Sequence, residues 1–197
     1  MSPEETDPGW GPAVRLVALR ITPLFLIPVF RRRRATDGLV AFRTVFLGLV
    51  AALPLYVILL AFDRTWNDGS VPPRVLVALV TLGIGSLVLV ERSRSTPLDI
   101  ESPERLAESF RSRTFAGIGF AEAPALLAFV AVLVSGNLWP YMIGLGFSLV
   151  GFWLIAPGAR ELARRQKEIA SRSSPLSLVA ALRFPGGDAP GAQAGTE

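Results

Sequence analysis

The 197-residue chain contains neither cysteine nor histidine, and only one of its 20 basic residues, Lys167, is a lysine. Without cysteine there is no disulfide framework, no thiolate metal ligand and no thiol nucleophile. The lack of histidine also excludes the Ser/His and Cys/His pairs, His-ligated zinc or haem, and the commonest general base. Charge is missing in a pattern as well: charged residues make up 18% of the chain, yet four long stretches hold none or almost none. Those stretches raise the hydrophobic content to 51% and the mean hydropathy to +0.46, which is too apolar for an ordinary soluble domain.

What is present reads as an all-α, polytopic membrane four-helix bundle with spans at about 45–62, 72–90, 115–134 and 138–156. Val45 to Phe62 carries no charge and is bounded by Arg43 and Asp63, and Pro54 within it is expected to kink the helix by freeing the carbonyl of Val50. The following DRTWNDGSVPPR is turn chemistry, with Trp66 suited to the membrane interface. The second span carries the small or hydroxyl residues Ala78, Thr81, Gly83, Gly85 and Ser86, of the kind that let membrane helices approach closely. Between Glu91 and Arg113, Ser102-Pro103-Glu104 predicts a helix start, with a capping hydroxyl, proline at the first helical position and an acid at the positive end of the dipole. That helix should run unbroken into the third span. In the fourth, Gly144, Ser148 and Gly151 form a small-residue stripe.

Around the transmembrane domain, 44–157, the flanks are polar. Residues 1–43 read as a cytoplasmic lead, with an acidic, Pro- and Gly-containing start that favours disorder. An interfacial segment follows, ending in the cluster Arg31, Arg32, Arg33 and Arg34. Its acidic beginning and Pro-broken apolar core are not the layout of a secretory signal. Residues 158–184 read as a basic cytoplasmic helix followed by a short apolar segment, and 185–197 as a disordered tail. Lys and Arg number seven before the first span, two in the first loop, five in the second, none in the third and six after the last. By the positive-inside rule both termini are cytoplasmic, in a cell (plasma) membrane. Arg31 to Arg34 with Arg160, Arg164, Arg165 and Lys167 are expected to face anionic headgroups on the cytoplasmic side, with no role in nucleic-acid binding.

The two halves share a pattern. Arg43, Thr44 and Pro54 recur seventy residues on as Arg113, Thr114 and Pro124, and Pro72 and Gly83 recur at an offset of 68 as Pro140 and Gly151. This suggests two related helical hairpins in parallel orientation, related by an axis along the membrane normal.

Glu122 is the single ionisable residue placed well inside a span. An acid at a helix centre costs roughly 2.5–3.5 kcal/mol on insertion scales, so a functional reading is the default, against a structural one in which it serves as a hydrogen-bonding contact between helices. Counted from the cytoplasmic ends, Glu122, Thr81 and Ser148 lie at similar depth, which makes them a candidate intramembrane proton or cation site. Glu122 is expected to face the bundle interior, and Pro124 should free the carbonyl of Phe120 beside it.

The runs GLVAALPLY at Gly48 to Tyr56 and GFAEAPALL at Gly119 to Leu127 resemble the carboxylate-bearing helix of the proteolipid (ring c) subunits of rotary ATPases. In that family a Gly-x-x-acid-Ala pattern carries a mid-membrane acid that binds a proton or sodium ion. Gly119, Glu122, Ala123 and Pro124 match it. The resemblance covers about 20 residues in each half and implies a proton- or cation-binding role for Glu122. The chain departs from the family in its longer polar loop, its basic flanks and the absence of a long glycine series before the acid. No catalytic residue, cofactor or metal site is expected, because one intramembrane acid gives no carboxylate dyad. The leading expectation is a non-enzymatic subunit or accessory protein of a membrane complex, packing against itself or a membrane-protein partner. The alternative is a proton- or cation-coupled transport component.

Overall fold

The computed structural model describes residues 7–21, 37–61, 70–172 and 174–184. Arg31 to Arg34 and the part of the expected interfacial segment after Ile21, Trp66, and the tail 185–197 lie outside the described residues. Every regular element among the described residues is a helix: α1 (Gly11–Ile21), α2 (Gly38–Ala61), α3 (Pro73–Ser95), α4 (Pro103–Ser135), α5 (Trp139–Ile155), α6 (Ala159–Ser171) and α7 (Leu178–Arg183).

Local chemistry sets these limits. Asp37 opens α2 by accepting the amide protons of Leu39 and Val40 at 3.0 and 3.2 Å. Pro73 occupies the first position of α3, and that helix stops where Thr96 is held extended (φ −68°, ψ 132°) by the proline that follows it. As expected, the Ser102 hydroxyl caps α4 by accepting from the Arg105 amide at 3.2 Å, and α4 then continues for 33 residues into the third apolar run, with Pro124 inside it. It ends at Gly136, whose amide returns to the carbonyl of Val132 at 2.8 Å with φ +64°, a left-handed conformation open to glycine at little cost. Ala156, ahead of Pro157, ends α5 as Thr96 ends α3.

The chain divides into two compact units. One comprises 49–96 and 112–156, which hold the second part of α2, α3, α4 from Ser112, and α5. Its closest helix contacts are made by small residues, set among large buried ones such as Leu53, Val132, Tyr141 and Phe152. Gly144 lies against the Pro124 carbonyl and the Ala128 methyl, Gly151 against Ala121, and Gly83 against the ring of Phe147. No Cβ would fit at these three positions without displacing a neighbour. The outer faces carry the bulk: Val77, Ile84, Val88, Val130, Leu133, Val134, Trp139 and Trp153 are all exposed. Large apolar side chains spread over the outer faces, with small residues where helices meet most closely, are not what water selects and suit hydrocarbon. Three helices, α2, α3 and α4, are long and apolar enough to cross a membrane; the 17-residue α5 makes a fourth if it and α6 count as one broken span.

The other unit comprises the described parts of 1–48, 97–111 and 157–197 and has a core of its own. Leu39 and Phe42 of α2, Leu98, Leu106, Ala107 and Phe110, Leu162 and Ile169 of α6, and Leu178, Ala181 and Leu182 of α7 are buried together. Leu162 and Ile169 lie two helical turns apart, so α6 turns one apolar stripe inward. The short apolar segment 176–182 belongs to this core: Leu178 and Leu182 are fully buried, and the amide of Leu178 and the carbonyl of Leu176 are bound by the side chain of Gln166.

Candidate functional site

Pro124 is fully buried inside α4 and has no N–H to give, so the carbonyl of Phe120 loses its partner one turn earlier. The hydroxyl of Ser86, from α3, donates to that carbonyl. On the other side of the break, the amide of Ala125 donates to the Ser148 hydroxyl of α5 at 3.0 Å, also buried. The close seat of Gly144 against the Pro124 carbonyl allows α5 to come near enough for this bond. The Ser86 hydroxyl thus satisfies the carbonyl that Pro124 leaves open, as apolar surroundings require, and Ser148 ties the next residue of α4 to α5. In α2, Pro54 is exposed, and the carbonyl of the preceding Leu53 accepts from the buried Tyr141 hydroxyl at 2.7 Å.

Of the three residues assigned by sequence to an intramembrane site, only Ser148 sits in this interior, where it contacts the backbone of α4. Glu122 lies in the broken turn but is partly exposed, at the rim of α4's outward face. Four residues on, Leu126 is exposed, whereas Ile118, four residues back, is buried. Seven residues on, Phe129 leans on Tyr56 of α2, with ring centroids 5.3 Å apart. Thr81 faces outward on α3. Among the described residues neither Glu122 nor Thr81 makes a hydrogen bond or ion pair.

Sequence reasoning placed the α3 hydroxyl one turn and a residue too far from the break. Ser86 is the residue it missed, and depth was the available signal. Phe120 lies five residues from the cytoplasmic start of the third apolar run, and Ser86 four from the end of the second. The freed carbonyl, not the acid, is what a hydroxyl at that level meets.

A second constellation lies in the polar unit. Arg43 is completely buried. Its guanidinium meets the Asp7 carboxylate through two bonds, at 2.5 and 2.9 Å, donates to the Gly9 carbonyl at 2.7 Å and, through Nε, to the Pro157 carbonyl at 3.0 Å. It also stacks over the ring of Trp10 at 5.1 Å. Burial alone would raise the pKa of Asp7. The Arg43 hydrogen bond, the Gly9 amide and the charges of Arg43 and Arg183 outweigh it and hold the carboxyl below its ordinary value. The unstructured lead expected for the first dozen residues therefore does not extend to Asp7 through Trp10. Asp7 and Trp10 were the signals: an acid and an aromatic that a buried arginine can use.

The basic cluster is also placed in part. Arg160, Arg164 and Lys167 are exposed, and Arg164 pairs with Glu161 at 2.7 Å. Arg165 departs from the expected headgroup-facing position. It is only 4% exposed, bound to Glu161 at 3.2 Å and Glu168 at 2.9 Å, because it shares the inward stripe of Leu162 and Ile169. Among the described residues no group of three His, Cys, Asp or Glu is placed to hold a metal ion. Comparison with protein-family models finds no match, nor does comparison with curated proteins or with solved structures.

Proposed function

We propose that this chain is a non-enzymatic subunit or accessory protein of a membrane complex, built as two parallel helical hairpins in a four-span bundle of the plasma membrane with both termini in the cytoplasm. The observation that carries this reading is the broad apolar outer surface of α2 to α5, where leucine, valine and tryptophan are exposed, together with the small residues at their closest contacts. The charge bias of the connections supports the orientation. The hairpin relationship is supported by contacts that correspond when the halves are exchanged. Arg43, in the second turn of α2, binds the carbonyl of Pro157 after α5, and Arg113 of α4 binds the carbonyl of Thr96 after α3 at 2.7 Å. Likewise, element for element, a hydroxyl of α5 binds the carbonyl of Leu53 in α2, and a hydroxyl of α3 binds that of Phe120 in α4. Arg160 and Lys167, with Arg31 to Arg34, supply the surface for anionic lipid.

Because the chain has no cysteine, single cysteines report sidedness without background. Asn137→Cys is expected to react with an impermeant maleimide in intact cells, and Ile100→Cys only after permeabilisation. Labelling of Ile100→Cys from outside would overturn the orientation.

A second reading, a proton- or cation-coupled transport component, is favoured by one observation: the membrane acid Glu122 lies unpaired in an opened helical turn. Under it, Glu122→Gln keeps the fold and abolishes proton or cation flux in proteoliposomes; unchanged flux removes that reading.

A further inference from the structure

A polar side chain inside a membrane span almost always finds a partner, because hydrocarbon offers none. Thr81 and Glu122 have none among the described residues; Thr81 is exposed and Glu122 is partly exposed at a rim. They also share a level. Ser93 of α3 donates to the carbonyl of Arg113 at 2.9 Å and Ser86 to that of Phe120, so the two helices run antiparallel in a known register. In that register Thr81 stands level with Ala125 and Gly85 with Ala121. Thr81 is thus three residues from the level of Glu122, about 4.5 Å at the helical rise.

The two groups cannot meet within one chain, since Thr81 is on the exposed face of α3 while α4 is met by the face carrying Ser86 and Ser93. Their surroundings suit a neighbouring helix. Thr81 lies between the exposed Ala78 and Gly85, and beside Glu122 are the exposed Ala116 and Gly119 and the half-buried Ala123. A Cβ added at Gly85 or at Gly119 would meet nothing within 4 Å, so both faces are open.

We propose that the outer face of α3 in one copy docks against the rim of α4 in a second copy, with the Thr81 hydroxyl hydrogen-bonded to the Glu122 carboxyl group. The hydroxyl donates to a carboxylate, and with a neutral acid it either donates or accepts, so the pair forms in either protonation state. A second copy is the occupant because it enters the membrane in the same orientation and brings the missing group to the required depth. The contact joins two different faces and is heterologous. It rests on the membrane reading above and names the partner that reading leaves open.

The test uses two differently tagged full-length chains co-expressed in membranes, one with Gly85→Cys and the other with Gly119→Cys. Mild oxidation is expected to give a mixed disulfide dimer, with little product when both chains carry Gly85→Cys or both carry Gly119→Cys. Glu122→Leu should lower the mixed yield by about threefold, the average strength of an interhelical hydrogen bond in a membrane. Thr81→Val should do the same, and combining the two should cost no more than either alone, whereas Glu122→Gln should retain the product. An absent mixed dimer, a dominant Gly119→Cys self-pair, or independent effects of the two substitutions would overturn the proposal. Correct labelling of Asn137→Cys in the same membranes separates that result from a failure of the membrane reading itself.

Discussion

Replacing Asp7 by alanine tests the claim that the beginning of the chain is structural. Arg43 is fully buried and its guanidinium has four partners: the Asp7 carboxylate, two backbone carbonyls and the Trp10 ring. Removing one member of a buried ion pair leaves an uncompensated charge and costs about 3–5 kcal/mol. Asp7 keeps 20% of its side-chain surface in solvent, and two carbonyls still bind Arg43 after the change, so the lower end, about 3 kcal/mol, is the expected loss. Asp7→Asn keeps an acceptor without the charge and should lose less, about 1–2 kcal/mol. The comparison is Glu91→Ala, which breaks an exposed pair with Arg94 and should cost under about 1 kcal/mol. The sign of the pH dependence follows from the depressed pKa. The folded value lies below the 3.8 of the free group, so the stabilisation is complete above that value and is lost as pH falls through the lower, folded one. Hydrogen exchange in detergent micelles would read the effect in two ways. Asp7→Ala should weaken protection of the α1 and α2 amides near Trp10 and Phe46, and the deficit against wild type should stay constant down to about pH 5. An Asp7→Ala protein as protected as Glu91→Ala, or a deficit that already shrinks between neutral pH and about pH 5, would refute the reasoning.

The break in α4 supplies the remaining predictions. Ser86→Ala leaves the Phe120 carbonyl without its donor and Ser148→Ala leaves the Ala125 amide without its acceptor; each is expected to cost about 0.6–2 kcal/mol in thermal or denaturant unfolding in micelles, with Ser→Thr milder than Ser→Ala. A Ser148→Ala protein unfolding like wild type would mean that Ala125 finds another acceptor. Gly144→Val places a side chain against the Pro124 carbonyl and the Ala128 methyl and should destabilise by about 1–3 kcal/mol, whereas Gly146→Val, into open space, should be nearly neutral by the same measurement.

The membrane character, the helix content and most helix ends are local properties and were legible in the residues themselves. An 18-residue uncharged run has one physical environment. Ser102-Pro103 acts on the nearest few peptide groups, so reading it as a helix start needs no partner in space. The stripe Gly144, Ser148, Gly151 was equally visible, since its spacing alone puts three small residues on one face.

Partnerships are another matter, because a hydrogen bond between helices depends on which face each turns inward. Depth alone could not choose between Thr81 and Ser86, which lie on different sides of α3; packing chose Ser86, and thereby left Glu122 at a rim instead of in the interior. Nor could spacing show that Arg165 turns into an apolar stripe and not toward headgroups, or that Asp7 lies against Arg43, 36 positions away. Composition decided that this chain seeks hydrocarbon. Only the close approach of its helices decided which few polar groups are satisfied there.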